Sequence, residues 1–262
     1  MIDNTFIFKK LDSEGKATLE SIASASRFNE WMYDVTSKRL EGRILEIGSG
    51  IGNISEYYLR DKRTIVLSDI RDNYCQYLRI RYGDLPSCED VVKIDLVHPD
   101  FDKEYSPYFD SFDGIFALNV IEHINNDTQA ISNARKLLKK GGRLVVLVPA
   151  YQLLYNNFDR ALEHYRRYTE GSLKMIFEKN NFQVAHSQYF NLAAIAGWWF
   201  SGSILKNEQL VNYFFQKSFS MTPQYNGDNA PKLGQNYYRE ADKRVLKQPI
   251  VRPFSRAFEH WK

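Results

Sequence analysis

The sequence predicts an α/β fold, in which a doubly wound, mostly parallel sheet is covered by helices on both faces. Three observations support this prediction. An apolar segment at 43–47 runs into a glycine-rich turn at 48–52, and a helical pattern starts at Asn53. Further apolar segments of strand length recur along the chain, at 64–68, 90–94, 112–118 and 144–148. Segments of helical periodicity separate them, and such alternation is typical of a parallel sheet with crossover helices.

The composition is that of a globular protein that buries a substantial core. The chain has 262 residues, of which 44% are hydrophobic and 26% are charged. A net charge of +3 is too small to indicate a nucleic-acid partner. Cys75 and Cys88 form no C-x-x-C pair, which favours a reducing, cytoplasmic location. We predict one domain with three parts, which are an N-terminal helical cap at 1–40, an α/β core at 41–190, and a helical and aromatic segment with a divergent tail at 191–262.

The glycine turn after the first strand indicates a ligand that approaches the main chain closely. Its spacing is Gly48-x-Gly50-x-Gly52, whereas a nicotinamide-binding turn reads G-x-G-x-x-G. Glu46 stands two residues before the first glycine. Because a carboxylate repels a pyrophosphate, an acid at this place suits a cationic ligand better.

The ends of the next strands carry polar side chains. The second strand runs into Asp69, about 20 residues beyond the glycines, where an acid can accept hydrogen bonds from ribose hydroxyls. Its alternative role is to cap the next helix. The third strand is followed by Asp95, and the fourth strand by Asn119. A helical pattern at 18–40, which includes Trp31, either packs beside the sheet or roofs the ligand.

The second half of the core is predicted to contain two more helices and a sixth strand. One helix is expected from Asp127 to a stop at Gly141, with four basic residues near its end, Arg135, Lys136, Lys139 and Lys140. Thr169 or Ser172 is expected to open the next helix, and a strand is expected at 182–189.

Three segments resemble a known family. E-I-G-S-G-I-G at 46–52 and F-D-G-I-F-A-L-N-V-I-E-H-I at 112–124 resemble motifs of the class I S-adenosylmethionine (SAM) methyltransferases. D-R-A-L-E-H-Y-R-R-Y at 159–168 resembles a bacterial subgroup that is often encoded beside glycosyltransferases. The resemblance implies a seven-stranded type of sheet, SAM as the cofactor, and a small-molecule acceptor or a glycan- or lipid-linked one. Oxygen is the atom that we expect to be methylated.

The resemblance also implies roles for individual residues. The cofactor is expected to contact the glycine turn and the strand ends, at Glu46, Gly48, Ser49, Gly50, Asn53, Asp69, Ile70, Asp95, Leu96 and Asn119. The acceptor is expected to contact Trp31, Glu122, Tyr165, Arg166, Arg167 and Tyr168. His164 is the predicted base, His123 is the second catalytic candidate, and an arginine of the run would bind an anionic acceptor group. In the alternative, these arginines pair with Asp159 and Glu163 in a surface loop.

Glu122 and His123 also raise the question of a metal. Ubiquinone-pathway O-methyltransferases and small-RNA 2′-O-methyltransferases show E-x-x-E-H at the equivalent place and bind a divalent cation. Here Asn119 replaces the first acid. One carboxylate and one imidazole make a poor site for a hard cation, so we expect no metal. Glu122 and His123 are expected to line the pocket.

The C-terminal part departs from the family pattern. The segment 187–205 carries no charge and contains Trp198, Trp199 and Phe200, but it is too polar for a membrane span. We predict core or a pocket cap there, with peripheral membrane contact as the alternative. The tail at 222–262 lacks the family's final apolar strand, and Pro249 weakens a strand at 245–251, so the last strand and the oligomeric state stay open.

Two other functions compete with methyl transfer. A nicotinamide-dependent oxidoreductase or epimerase would share the fold, but the third glycine comes one residue early for it. A SAM-binding protein without catalysis would share the glycine turn and Asp69. Methylation of a nucleic-acid base is disfavoured, since the fourth strand is followed by N-V-I-E and not by the D/N-P-P-Y motif.

Overall fold

Five parallel strands form the sheet of the computed structural model, which describes residues 26–189. They are β1 (Ile44–Ile47), β2 (Ile65–Asp69), β3 (Cys88–Lys93), β4 (Phe112–Leu118) and β5 (Leu138–Leu147). Their order across the sheet is β3-β2-β1-β4-β5. The direction of winding therefore reverses at β1, which pairs with both β2 and β4. The crevice at the carboxyl ends of β1 and β4 is the place where such sheets bind ligands.

Seven helices connect or cover the strands in the described residues. They are α1 (Ser26–Ser37), α2 (Ser55–Arg60), α3 (Asp72–Tyr82), α4 (Phe101–Glu104), α5 (Asp127–Leu137), α6 (Asn157–Ala161) and α7 (Glu170–Lys179). Short 3₁₀ turns lie at Ser106–Tyr108, Ile121–His123 and Gln152–Leu154. Within residues 26–189, none of these helices combines the length and the hydrophobicity needed to cross a bilayer.

Both faces of the sheet are buried, which confirms the doubly wound prediction. Successive residues of β4 point to opposite faces, so Ile115 joins a cluster with α5 and α7, whereas Phe116 joins one with α2 and α3. Every residue of β1 and β2 is buried. Strands that are covered on both sides have continuous apolar sequences rather than alternating ones. This continuity is the pattern that predicted them.

The structure corrects the predicted end of α5. This helix ends at Leu137, and β5 begins at Leu138, so Gly141 lies inside a strand instead of ending a helix. The N-cap is Asn126, whose side chain accepts from the backbone N–H of Gln129. By contrast, the predicted start of α7 is confirmed, because Thr169 and Ser172 form a reciprocal capping box.

The predicted sixth strand is wrong in the described residues. Phe182 makes a single bridge, and 183–189 has no regular secondary structure, so the described sheet has five strands rather than seven. Residues 1–25 and 190–262 lie outside the description. The predictions for the start of the 18–40 helix, most of the 187–205 segment and the 222–262 tail fall there, and the three-part division stays a prediction.

Candidate active site

The turn after β1 is shaped by glycines at positions where other residues do not fit. Gly48, Gly50 and Gly52 all have positive φ angles, of +74°, +54° and +83°. A Cβ atom on Gly48 would lie 2.5 Å from Cγ2 of Val120, and one on Gly52 would lie 2.4 Å from Cε2 of Tyr82. The spacing of these glycines is therefore a requirement of the chain's own packing as well as of a ligand.

Asp69, at the end of β2, reaches across to this turn. Its Oδ2 accepts from the backbone N–H of Gly50 and its Oδ1 from that of Arg71, both at 3.0 Å. Burial raises the pKa of Asp69, and these backbone donors oppose that effect. An ionised carboxylate has about four acceptor sites, so beyond its backbone donors it can also accept from a ribose hydroxyl of a cofactor.

Glu46 lies beneath the turn and is also buried. Its Oε2 accepts from the hydroxyl of Ser55. Burial raises the pKa of Glu46 to about 7, hydrogen bonds from Ser55 and Ser49 oppose this, and the charge of Asp69 adds to it. Two buried acids on one edge of the sheet fit a ligand that carries a sulfonium and an ammonium, and they do not fit a diphosphate.

The other residues predicted to contact the cofactor lie along the same edge. Ser49 ties the turn to β2, because its hydroxyl accepts from the backbone N–H of Ser68 at 3.1 Å. Asp95 folds back on its own loop and accepts from the N–H of Val97 at 2.8 Å. Leu96 is packed in the core, Asn119 is exposed with a φ of +54°, and Asn53 and Ile70 are half-buried. Their contacts with a cofactor stay predictions.

His164, in the loop after β5, is held by a buried carboxylate. Its Nδ1 lies 2.9 Å from Oδ1 of Asp159. The guanidinium of Arg167 donates to both oxygens of Asp159, at 2.8 and 2.9 Å. Burial alone would raise the pKa of Asp159, but the hydrogen bonds from His164 and Arg167 lower it. Asp159 is therefore ionised and can only accept, which makes Nδ1 of His164 the donor, and in the neutral imidazole the lone pair is then on Nε2.

Glu122 and His123 lie beside His164. The two imidazole rings meet edge to face with centroids 4.6 Å apart. Burial lowers the pKa of His123 to about 3, and the charges of His164 and Arg71 add to this effect. Glu122 has no exposed surface, and within residues 26–189 neither of its carboxylate oxygens has a hydrogen-bond partner. Burial raises the pKa of Glu122 to about 7, although the charge of His164 opposes it.

The structure gives new roles to three residues that were predicted to bind the acceptor. Arg167 is buried against Asp159, as the alternative prediction proposed. Arg166 donates to Asp127 at 2.6 Å and to the carbonyl of Asn125 at 2.7 Å. The hydroxyl of Tyr168 donates to the same Asp127 at 2.9 Å. These contacts tie the loop after β5 to the start of α5, so the side chains are occupied within the protein.

Trp31 and Tyr165 are more exposed, at 42% and 43% of each residue's surface, and their rings contact Phe28 and Arg166. The sequence did not single out Asp159 as the partner of His164, or Asp127 as the partner of Arg166 and Tyr168. Asp127 meets Arg166 and Tyr168 only when two distant segments fold together, 39 and 41 residues apart. Asp159 and His164 lie in one loop, where spacing alone does not tell which acid reaches the ring.

The parallel sheet, the glycine turn at the reversal point and the buried acids beneath it together define a class I SAM-dependent methyltransferase. A family model described as "Methyltransferase domain" matches residues 9–187, which is more than half of the chain. The chain belongs to this family, and its cofactor is SAM. The alternative of a nicotinamide-dependent enzyme is therefore wrong.

Comparisons with individual proteins agree with this assignment. Methyltransferase GfsG of Streptomyces halstedii is 26% identical over 133 residues, which are 50% of this chain and 46% of that protein. The chain thus spans about half the length of this relative. A SAM-dependent methyltransferase from Archaeoglobus fulgidus superposes with a TM-score of 0.53 at 17% identity and covers 92% of this chain and 94% of its own. Haemonchus contortus phosphoethanolamine N-methyltransferase 2, solved with SAM, superposes with a TM-score of 0.54 at 13% identity. The match covers 88% of this chain and 52% of that one.

Proposed function

We propose that this protein transfers the methyl group of SAM to a hydroxyl of a small-molecule acceptor or of a glycan- or lipid-linked one. The observation that carries the proposal is the buried pair of Asp159 and His164. A hydroxyl nucleophile has to lose a proton, and an imidazole whose first nitrogen donates to a carboxylate can accept that proton on its second.

The pair lies close to the cofactor turn. Val120 packs against Gly48 of the turn. His123 follows three residues later, and its ring contacts that of His164. Arg71, whose backbone N–H binds Asp69, is near enough to contribute, after burial and His164, to the low pKa of His123. These contacts support a short path from the proposed base to the methyl donor.

The chain's own residues have two tasks in this reaction. When bound, SAM supplies a methyl group on a positively charged sulfur that leaves as a neutral thioether, so the leaving side needs no acid. The protein has to hold the acceptor oxygen in line with that methyl group, and this orientation is worth several kcal/mol. It also has to accept the proton, for which Nε2 of His164 is available, and Asp159 then stabilises the imidazolium. Such a base contributes about 10²–10⁴-fold.

Two exposed aromatic rings support an acceptor with a ring of its own, such as a sugar. Met32 of α1 packs against Leu147 and Leu118, at the ends of β5 and β4, so α1 lies over the carboxyl edge of the sheet and brings Trp31 there. Tyr165 is next to His164 and its backbone N–H donates to the carbonyl of Glu122 at 2.8 Å. Flat aromatic side chains near this edge of the sheet would offer apolar contact to such a ring.

The test has a binding step and a transfer step. Thermal shift measurements with SAM, S-adenosylhomocysteine and NAD should show stabilisation by the first two alone. The protein is then incubated with methyl-labelled SAM and with glycan and lipid extracts of a strain that lacks it, and the product is identified by mass spectrometry. We expect label on an acceptor oxygen. Label on nitrogen or carbon would contradict the proposed chemistry, and SAM binding without any transfer would favour a non-catalytic SAM-binding protein.

A further inference from the structure

Glu122, His123 and His164 place three potential metal ligands close together. One atom from each, a carboxylate oxygen and two imidazole nitrogens, all lie within 4.8 Å of one another. In a tetrahedral site with bonds of about 2.1 Å, two ligand atoms are about 3.4 Å apart. Binding a single ion would therefore require side-chain rotations that shorten these separations.

The unpaired carboxylate of Glu122 indicates that a group belongs in this cluster. Its side chain is fully buried, and neither oxygen has a hydrogen-bond partner in the part of the chain that the structure describes. A buried polar group without a partner is costly, and such groups are rare in folded proteins. A cation between Glu122 and the two imidazoles would supply the missing partner.

Both imidazoles are oriented as metal-bound histidines usually are. Histidine ligands generally donate their other ring N–H to a carboxylate or to a backbone carbonyl. His164 donates from Nδ1 to Asp159, which Arg167 holds in turn. The ring of His123 is hydrogen-bonded to the backbone carbonyl of Leu162. Each imidazole thus has one nitrogen fixed by the protein, and its other nitrogen carries a lone pair.

We propose that Glu122, His123 and His164 bind one divalent transition-metal ion of the Zn²⁺ class. Two nitrogens and one oxygen suit Zn²⁺, Fe²⁺ or Co²⁺, whereas Mg²⁺ and Ca²⁺ prefer oxygen ligands alone. The sequence prediction of no metal counted two ligands in this chain, and the loop after β5 supplies the third. Three protein ligands also leave coordination positions for water or for an acceptor oxygen.

Metal binding goes beyond the proposed function, since it can be measured without an acceptor. Metal binding and the proposed function both involve His164, because its Nε2 lone pair either binds the ion or takes the proton of the acceptor hydroxyl. A bound ion would instead lower the pKa of an acceptor hydroxyl, whose proton would then pass to water.

The full chain is treated with a chelator, dialysed and titrated with Co²⁺, whose visible absorption reports its ligands, and with Zn²⁺ by calorimetry. We expect one ion per chain. Glu122→Gln and His123→Gln should each weaken binding at least tenfold, and Asp159→Asn about 10–100-fold through the orientation of His164. His186→Ala, which removes an exposed histidine outside the cluster, is the matched control and should bind normally.

Two outcomes would overturn the site. One is that the chelator-treated wild-type chain binds neither ion. The other is that it binds, but Glu122→Gln and His123→Gln bind equally well while circular dichroism shows them folded. The wild-type titration decides the question alone where a variant fails to fold. Methyl transfer is assayed in parallel on the metal-free and the loaded chain, so a failure of the proposed function is seen separately from a failure of metal binding.

Discussion

The cofactor turn and the loop after β5 both place polar groups at the carboxyl edge of the sheet, but they are built differently. In the turn, the backbone is shaped by glycines, and Asp69 binds a main-chain N–H. In the loop, side chains bind side chains across long separations, as Arg166 and Tyr168 do with Asp127, 39 and 41 residues away. The glycine turn itself is local in sequence, whereas the contacts of Arg166 and Tyr168 with Asp127 are not, and this difference decides how far each could be predicted.

The largest effect that tests this contrast is on turnover. His164→Gln removes the proposed base and should lower kcat by about 10²–10⁴-fold while leaving SAM affinity unchanged. Asp159→Asn should also lower kcat, because an amide no longer fixes the tautomer of the imidazole. Steady-state kinetics and calorimetry with SAM separate these effects. A parallel loss of SAM affinity in His164→Gln would make His164 part of the structure rather than of the reaction.

How much was predictable follows from the same contrast. The bounds of β4 were predicted to the residue, and the places of Glu46 and Asp69 followed from local pattern, because an apolar run and a glycine turn fix where a strand ends. The pairing of Arg167 with Asp159 was one of two alternatives left open by the sequence, and both residues lie in the same loop. The pairing of Arg166 with Asp127 was not predicted, because it forms only when this loop packs against the start of α5.

The end of α5 was missed for a related reason. Its basic residues and Gly141 match a helix C-terminus, but Lys139 forms an ion pair with Asp113 of β4, and the pairing of β4 with β5 is irregular between Phe112 and Gly114. Residues whose local sequence is typical of a helix end therefore form part of β5. Tertiary pairing decides such a boundary, as it commonly overrides local propensity.

The next largest effect should be on stability. Arg167→Met leaves the buried carboxylate of Asp159 without its bidentate partner, so the free energy of unfolding should fall by about 3–5 kcal/mol in urea denaturation. Lys174→Met is the matched control, because its ion pair with Glu178 is exposed on one helix face and contributes about 0.3–0.5 kcal/mol. If both variants lost the same small amount, Arg167 would have no special structural role, and its predicted contact with the acceptor would be favoured again.

A smaller effect should be found in cofactor affinity. Asp69→Ala removes the proposed acceptor of the ribose hydroxyls and should weaken SAM binding by about a hundredfold, as expected for two hydrogen bonds to a charged group. Calorimetry measures the change. Asp72→Ala, which removes an exposed acid paired with Lys93, is the control and should bind SAM normally. Equal affinity in both variants would place the cofactor away from the end of β2.

The smallest effect concerns Glu46 and pH. Its folded pKa of about 7 lies above the ordinary value of 4.5, so the folded state binds its proton more tightly than the unfolded state does. The stability that Glu46 contributes is therefore fully present below about pH 4.5 and is lost as the pH rises to about 7. Cofactor affinity should change in the opposite direction, because only the ionised carboxylate attracts the positive charges of SAM.

Between about pH 6 and 8, SAM affinity should therefore rise by up to about tenfold in total, mostly below pH 7, where binding also releases a proton. Glu46→Gln keeps the buried hydrogen bond with Ser55 but cannot ionise, so its affinity should lack this component of the pH dependence. The variant also corrects for the titration of the cofactor's own amino group, which is common to both proteins. Identical pH profiles would mean that Glu46 supports the turn without sensing the charge of the cofactor, and the backbone alone would then account for the binding at this turn.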